Sequence, residues 1–213
     1  MNIAILGGTG KEGAGLAARW ALAGHSIIIG SRDEARAKAK AAELREITHK
    51  IPIIGHTNAD AARIGEVIVL TLPATGLANT LGEVAEACRG KIVVSTVVPL
   101  TFGGPRLFTP PPAGSCAEEV QGLLPEAKVV AAFHHIAAHE LSETDRPIEC
   151  DLLMCGDAAG KEVVKTLGAS MRLRAIDVGA LTNAGPLEGI TAVLATINRR
   201  YKVKDAGIKI TGV

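Results

Sequence analysis

The chain opens on a short apolar run that closes on glycines: NIAIL (2–6), then GGTGKEG (7–13). Such a run bounded by glycine reads as a buried strand. Residues 11–25 follow with Leu16, Trp20 and Ala23 at helical spacing, and Gly24 ends them. Gly8, Gly10 and Gly13 therefore sit between a strand and a helix in the order G-x-G-x-x-G. In that setting Gly8 allows the tight turn, Gly10 lets the backbone approach a pyrophosphate, and Gly13 lets the helix pack close to the strand. The helix N-terminus adds amide donors for the anion. The loop points to a dinucleotide site; a purely structural glycine turn is the plainer alternative.

The remaining chain repeats the same alternation. Strands are expected at 26–30, 51–55, 66–73, 91–99, 128–133, 151–156 and 173–179. Helices are expected at 33–50, 58–64, 76–88, 116–124, 158–169 and 183–200. Residues 100–115 hold four prolines and three glycines, which marks a loop with a flap role. Strands separated by crossover-length helices predict an α/β fold, a Rossmann-type doubly wound sheet, mainly parallel, with a small C-terminal α/β portion. The expected division is 1–140 for the nucleotide-binding part and 141–213 for the small part. Ligands in such sheets bind outside the carboxyl ends of the strands, at the switch point.

Composition narrows the partners. The net charge of +1 gives no field to draw nucleic acid or an anionic membrane. Aromatics make up only 2%, so the core must be aliphatic and single-stranded nucleic acid lacks stacking platforms. No apolar stretch reaches the ~20 residues of a membrane helix. Cys88, Cys116, Cys150 and Cys155 form no CxxC pair, and no leader precedes the first strand, so the thiols read as reduced in a cytoplasmic protein.

The second strand ends in GSRD (30–33). An NAD site places an acid there to hold the ribose 2′-hydroxyl. Ser31 and Arg32 stand there instead, with Arg36 one turn into the next helix, and Asp33 falls too late, as a first-turn acid of that helix. A planar, permanently charged guanidinium suits a 2′-phosphate, and arginines at a helix start oppose the dipole unless an anion is near. The site thus reads as NADP(H)-binding. Pro73 and Pro99 follow the fourth and fifth strands, either as turns beside the nicotinamide half or as ordinary strand ends.

AFHHIAAHE (132–140) gathers three of six histidines after the sixth strand. His135 and His139 have i,i+4 spacing, but no HExxH, CxxC or acidic cluster completes a zinc site, so no metal is expected.

Together, the GGTG…G-x-R start, VVSTVVP (93–99), the histidine after the sixth strand and the tail GIKI (207–210) resemble the NADP-dependent oxidoreductases of the deazaflavin coenzyme F420. The resemblance implies hydride transfer between NADP(H) and F420, in a homodimer or higher homo-oligomer, with the C-terminal part covering the deazaflavin. It assigns the cofactor loop to Thr9, Gly10, Lys11 and Glu12, the 2′-phosphate to Ser31, Arg32 and Arg36, and the nicotinamide and ribose to Leu72, Gly76, Val98, Ala138 and Gly207. Arg36 replaces a lysine of the family pattern, Gly76 replaces a larger residue, and His134-His135-Ile136-Ala137 replaces His-Thr-Ile-Pro.

Hydride transfer between two coenzymes requires ring juxtaposition and exclusion of water, and no protein nucleophile. His134 is the candidate hydrogen-bond donor to the deazaflavin. The basic run Arg199, Arg200, Lys202, Lys204 and Lys209 is a candidate to steer the acidic tail of that coenzyme. A solvated or subunit-rim patch is its plainer reading. An NADPH-dependent flavin or ferric reductase, and a non-catalytic NADP(H) sensor, are the alternatives.

Overall fold

The computed structural model describes residues 1–48 and 51–213. Among these, the strands are β1 (Asn2–Leu6), β2 (Ser26–Ser31), β3 (Ile53–Thr57), β4 (Val67–Leu70), β5 (Ile92–Ser95), β6 (Lys128–Ala132), β7 (Leu152–Gly156) and β8 (Ala175–Asp177). They form a single sheet in the order β3-β2-β1-β4-β5-β6-β7-β8. The first six run parallel, β7 is antiparallel to β6, and β8 is parallel to β7. The order turns back at β1 and β4, which makes the carboxyl ends of those strands the switch point.

The helices are α1 (Lys11–Leu22), α2 (Glu34–Ile47), α3 (Asn58–Ile64), α4 (Leu77–Cys88), α5 (Cys116–Leu123), α6 (Ala138–Ser142), α7 (Ala158–Ser170) and α8 (Ala184–Tyr201). Side chains alternate across β1: Ile3 and Ile5 pack toward the faces of α1, α2 and α7, while Ala4 and Leu6 pack toward α3, α4 and α5. Both layers are fully buried, which is why the parallel strands read as continuous apolar runs. In the aliphatic core Trp20 packs edge-on to Phe133 with ring centres 5.3 Å apart. The indole nitrogen of Trp20 donates to the Leu167 carbonyl at 3.2 Å.

Several expected boundaries move. The fourth and fifth strands stop at Leu70 and Ser95 rather than at the prolines. Thr71 and Thr96 each make one more backbone bond, to Leu6 and Leu70, and the chain then leaves the sheet, so Pro73 and Pro99 lie in loops beyond it. The third strand forms at Ile53–Thr57, two residues later than expected, because its pairing with β2 sets Ile53 beside Ile27. The second helix ends at Ile47, where the Thr48 hydroxyl donates to the Leu44 carbonyl; the last two residues of the expected helix lie outside the described residues. Helix α6 and the antiparallel sense of β7 are not foreseen by periodicity. No described helix is long and apolar enough to cross a membrane.

Candidate functional site

The glycine loop joins β1 to α1 at the switch point. Gly7 takes the left-handed turn (φ +77°), the role the sequence suggested for Gly8. Gly8 is needed for a different reason: a Cβ there would lie 2.8 Å from the Ile5 carbonyl oxygen. A Cβ on Gly13 would lie 2.6 Å from Thr71 Oγ1 and 2.7 Å from Gly8 Cα, so only glycine lets α1 sit on the strand ends. Gly10 is open by contrast. A Cβ there would meet nothing nearer than the Gly7 carbonyl oxygen at 3.6 Å. Gly10 caps α1 without a side-chain bond, so the first amides of that helix are free for an anion. The loop fits a pyrophosphate.

A cavity of about 760 Å³ lies over this loop. Thr9, Gly10, Ser31, Arg32, Arg36, Leu72, Pro73 and Gly76 line it, as does Thr71. Ser31 is buried and its hydroxyl accepts from the Asp33 amide at 3.2 Å. Asp33 is the N-cap of α2, accepting from the Arg36 amide at 3.2 Å, rather than a residue of the first turn. Among the described residues no acid pairs with Arg32 or Arg36, so both guanidinium groups are available to an anion in this cavity. Asn58 was not singled out by the sequence. Its Oδ1 accepts from the Gly7 amide at 3.3 Å, its buried Nδ2 has no partner, and it lines the same cavity. Only the adjacency of β3 and β2 brings it there.

A second cavity, about 800 Å³, meets the first at Thr9 and Gly10. Lys11, Ala14, Gly15 and Ala18 form its floor, and Lys40, Glu43, Leu44 and Ile47 of α2 form one wall. Ala138, His139 and Ser142 of α6, with Thr144, form the opposite wall, and Ala195, Asn198 and Lys204 close an end. Phe102, 73% exposed, reaches in from the proline-rich loop, whose base is tied by a bridge between Leu100 and Phe108. The α6 wall is held to α1 by Arg19. This buried guanidinium donates to the carbonyls of Leu141, Glu140, Glu143 and Arg146 at 2.9, 2.7, 2.8 and 3.1 Å. Burial lowers the Arg19 pKa, and the nearby carboxylate of Glu140 works against that.

Several other sequence candidates lie outside both linings. His134 is buried, and the Thr191 hydroxyl of α8 donates to its carbonyl at 3.2 Å. Burial, and then the neighbouring His135, push its pKa down to about 3. The Ala132 and Leu187 carbonyls lie near the ring, yet neither nitrogen meets hydrogen-bonding geometry. His135 is explained by packing: its Nε2 lies 2.9 Å from the Asp151 carbonyl and 3.2 Å from the Leu153 amide, which ties the turn after β6 to β7. The turn itself passes through Phe133 at φ +66°. His139 instead lines the second cavity, and among the described residues no three His, Cys, Asp or Glu converge as a metal site. Val98 and Pro99 are half-buried beyond β5. Gly207 lies against Cys150, where a Cβ would come within 2.8 Å of the cysteine Cβ. In the basic run, Lys204 lines the second cavity, while Lys209 pairs with Glu149 at 2.7 Å.

Glu12 is unusual. Its stem is half-exposed at the start of α1, but its Oε1 is shut off from solvent and has no hydrogen-bond partner. Burial pushes its pKa up to about 8, against a smaller opposing effect of the Thr96 hydroxyl beside it.

A glycine loop at the switch point of a doubly wound sheet, beside two arginines that pair with no acid among the described residues, defines a dinucleotide-binding protein of the Rossmann class. The sequence profile described as NADP oxidoreductase, coenzyme F420-dependent, matches residues 2–99. The F420-dependent NADP reductase of Methanocaldococcus jannaschii is 43% identical, covering 100% of this chain and 99% of that protein. That of Methanothermobacter marburgensis is 39% identical over the same shares. A crystal structure assigned as an F420-dependent NADP-reductase from Arthrobacter sp. FB24 superposes with a TM-score of 0.85 at 28% identity, covering 99% of each chain. The chain belongs to the family of F420-dependent NADP reductases.

Proposed function

We propose that this chain moves a hydride between NADP(H) and the deazaflavin coenzyme F420. One observation supports the reading: beside the dinucleotide cavity lies a second cavity large enough for a coenzyme, and the two share Thr9 and Gly10 in their linings. In the first, the α1 amides take the pyrophosphate and Ser31, Arg32 and Arg36 take the 2′-phosphate. Leu72, Pro73 and Gly76 bound the nicotinamide half of the first cavity. There, Lys11, Lys40 and Lys204 offer positive charge to an acidic coenzyme tail.

The chemistry belongs to the two coenzymes, a hydride passing between nicotinamide C4 and deazaflavin C5. The protein binds both, sets their approach and keeps water out. Residues from 141 onward contribute Ser142, Thr144, Ala195, Asn198 and Lys204 to the second cavity, which supports a covering role for that portion. His134 is retained as the expected donor to the deazaflavin on the resemblance alone, its ring being buried outside both linings. Val98, Pro99, Ala138 and Gly207 are retained as nicotinamide-side contacts. The four cysteines are free and buried, in keeping with a cytoplasmic protein. Val193, 58% exposed on α8 beside half-buried Ile190 and Ile197, supports pairing of two subunits through that helix.

The test mixes the purified protein with NADPH and oxidised F420 and follows the deazaflavin absorbance, with free flavin and a ferric chelate in parallel. Bleaching of F420 alone is expected. Turnover of flavin or iron alone would replace the reading by a flavin or ferric reductase. NADPH binding without turnover would make the chain a sensor.

A further inference from the structure

Asn58 has no role in the binding scheme above, and its place in the fold gives it one. It is the first residue of α3, only 2% exposed, and it lines the dinucleotide cavity. Its Oδ1 accepts from the Gly7 amide at 3.3 Å and would stand 2.9 Å from a Cβ on Gly30. The carboxamide therefore lies between the first turn of the glycine loop and the end of β2, just before Ser31. A backbone amide can only donate, so the carboxamide oxygen must face Gly7 and the nitrogen takes the other branch. That nitrogen is buried and bonds to no group among the described residues. The loop does not depend on this side chain as a support, since the Gly7 amide already donates to the Gly30 carbonyl at 3.0 Å. The acid of α3, Asp60, is taken up by Thr57 and Arg63. A buried carboxamide with both its N–H donors unused is unfavourable, and an acceptor oxygen is what a ligand in this cavity can add.

The acceptor follows from the neighbours. Ser31 and Arg32, directly after Gly30, take the 2′-phosphate, and the α1 amides take the pyrophosphate. The adenosine ribose joins those two groups, so it spans the gap between the end of β2 and the glycine loop, where Asn58 sits. With its 2′ oxygen phosphorylated, this ribose keeps one free hydroxyl, at the 3′ carbon. We propose that Asn58 is a further cofactor-binding residue, its Nδ2 donating to the 3′-hydroxyl of the adenosine ribose. The inference rests on the reading of the site as NADP(H)-binding. A neutral donor suits a neutral hydroxyl, while the charged phosphates on either side go to the arginines and the helix amides. The Oδ1 bond to Gly7 holds the carboxamide in position before the nucleotide arrives. Asn58 thus acts on a part of the nucleotide that NADP(H) and NAD(H) share, in contrast to Arg32.

Calorimetry of the full chain with NADPH, and with an NADPH analogue whose adenosine ribose lacks the 3′-hydroxyl, tests this. The quantity read is the ratio of the two affinities, in which a general change in the loop or in charge cancels. The wild-type protein should bind NADPH about 3- to 10-fold more tightly than the analogue, the worth of one hydrogen bond. In Asn58→Ala that ratio should fall toward one. It should fall likewise in Asn58→Asp, whose carboxylate keeps an acceptor for Gly7 and has no donor. NADH should lose affinity in Asn58→Ala by the same factor as NADPH. Equal affinities for the two ligands in the wild-type protein would overturn the proposal, and that measurement needs no variant. A ratio that persists in a folded Asn58→Ala protein would overturn it too, leaving Asn58 as a support of the loop. A loss confined to NADPH would overturn it by moving the contact to the 2′-phosphate. Failure of the wild-type protein to bind NADPH would instead remove the NADP(H) reading itself.

Discussion

Gly15 of α1 lies so close to Leu141 of α6 that a Cβ on the glycine would stand 2.6 Å from the leucine Cβ. This contact brings the wall of the second cavity onto the helix that begins at the dinucleotide loop. One side of α1 therefore serves both cavities. Gly15→Ala gains about 1 kcal/mol of helix propensity but overpacks the contact by about 1–3 kcal/mol. A fall in Tm of a few degrees is expected. Because α6 must shift, the KM for F420 should rise more than the KM for NADPH; steady-state kinetics with each coenzyme varied in turn checks this.

Gly10 and Gly13 separate ligand space from packing space. Gly13→Ala meets backbone at Gly8 and should destabilise the unliganded protein, read by urea unfolding. Gly10→Ala has room in the free protein and a φ of −75° that alanine accepts. Its Tm without ligand should be unchanged, while NADPH binding is lost because the methyl group occupies the approach of the phosphates.

Arg32→Glu should weaken NADPH binding by about 10- to 100-fold, the loss of a charge-assisted bond together with added repulsion. NADH affinity should stay level or improve, since its ribose carries no phosphate. Fluorescence titration with both nucleotides reads the outcome. Equal losses for the two would place Arg32 away from the ribose.

The stability of the free protein should fall as pH rises from about 6.5 to 8. Glu12 is pushed up to about 8 and Glu188 to about 7, both mainly by burial, the latter despite amide donors from Cys116 and Ala117. An acid raised in the folded state binds more protons folded than unfolded, so its stabilisation is present below the unfolded pKa and lost as pH climbs to the folded one. His134 and His135 are lowered and act in the opposite sense, but only below their ordinary value near 6.5. Above it the acids act alone, each at a slope of at most about 1.4 kcal/mol per pH unit. Urea unfolding at stepped pH should show this decline, and Glu12→Gln should flatten its upper part.

Local pattern carried a large share of the fold and site. The glycine spacing, the apolar runs and GSRD all lie within one βα unit or at its end, where period and turn chemistry act over a few residues. The features that went unread join distant segments. Asn58 reaches the glycine loop across β2, Arg19 captures carbonyls at 140–146, and His135 is consumed by the backbone of β7. None has a local signature, since an asparagine, an arginine or a histidine looks the same in sequence whether its partner is protein, ligand or water.

The amino-acid sequence alone determined the strand–loop–helix start, the absence of an acid at the ribose position and the parallel order of alternating elements, because each follows from short-range spacing and from which groups an anion needs. Only the tertiary structure decided that β7 turns antiparallel, that AFHHIAAHE divides into two buried rings and one cavity-facing residue, and that Glu12 ends beside Thr96 with an oxygen left over. Those outcomes depend on which backbone groups remain unpaired once the sheet has closed around them, a quantity that exists only after distant residues have met.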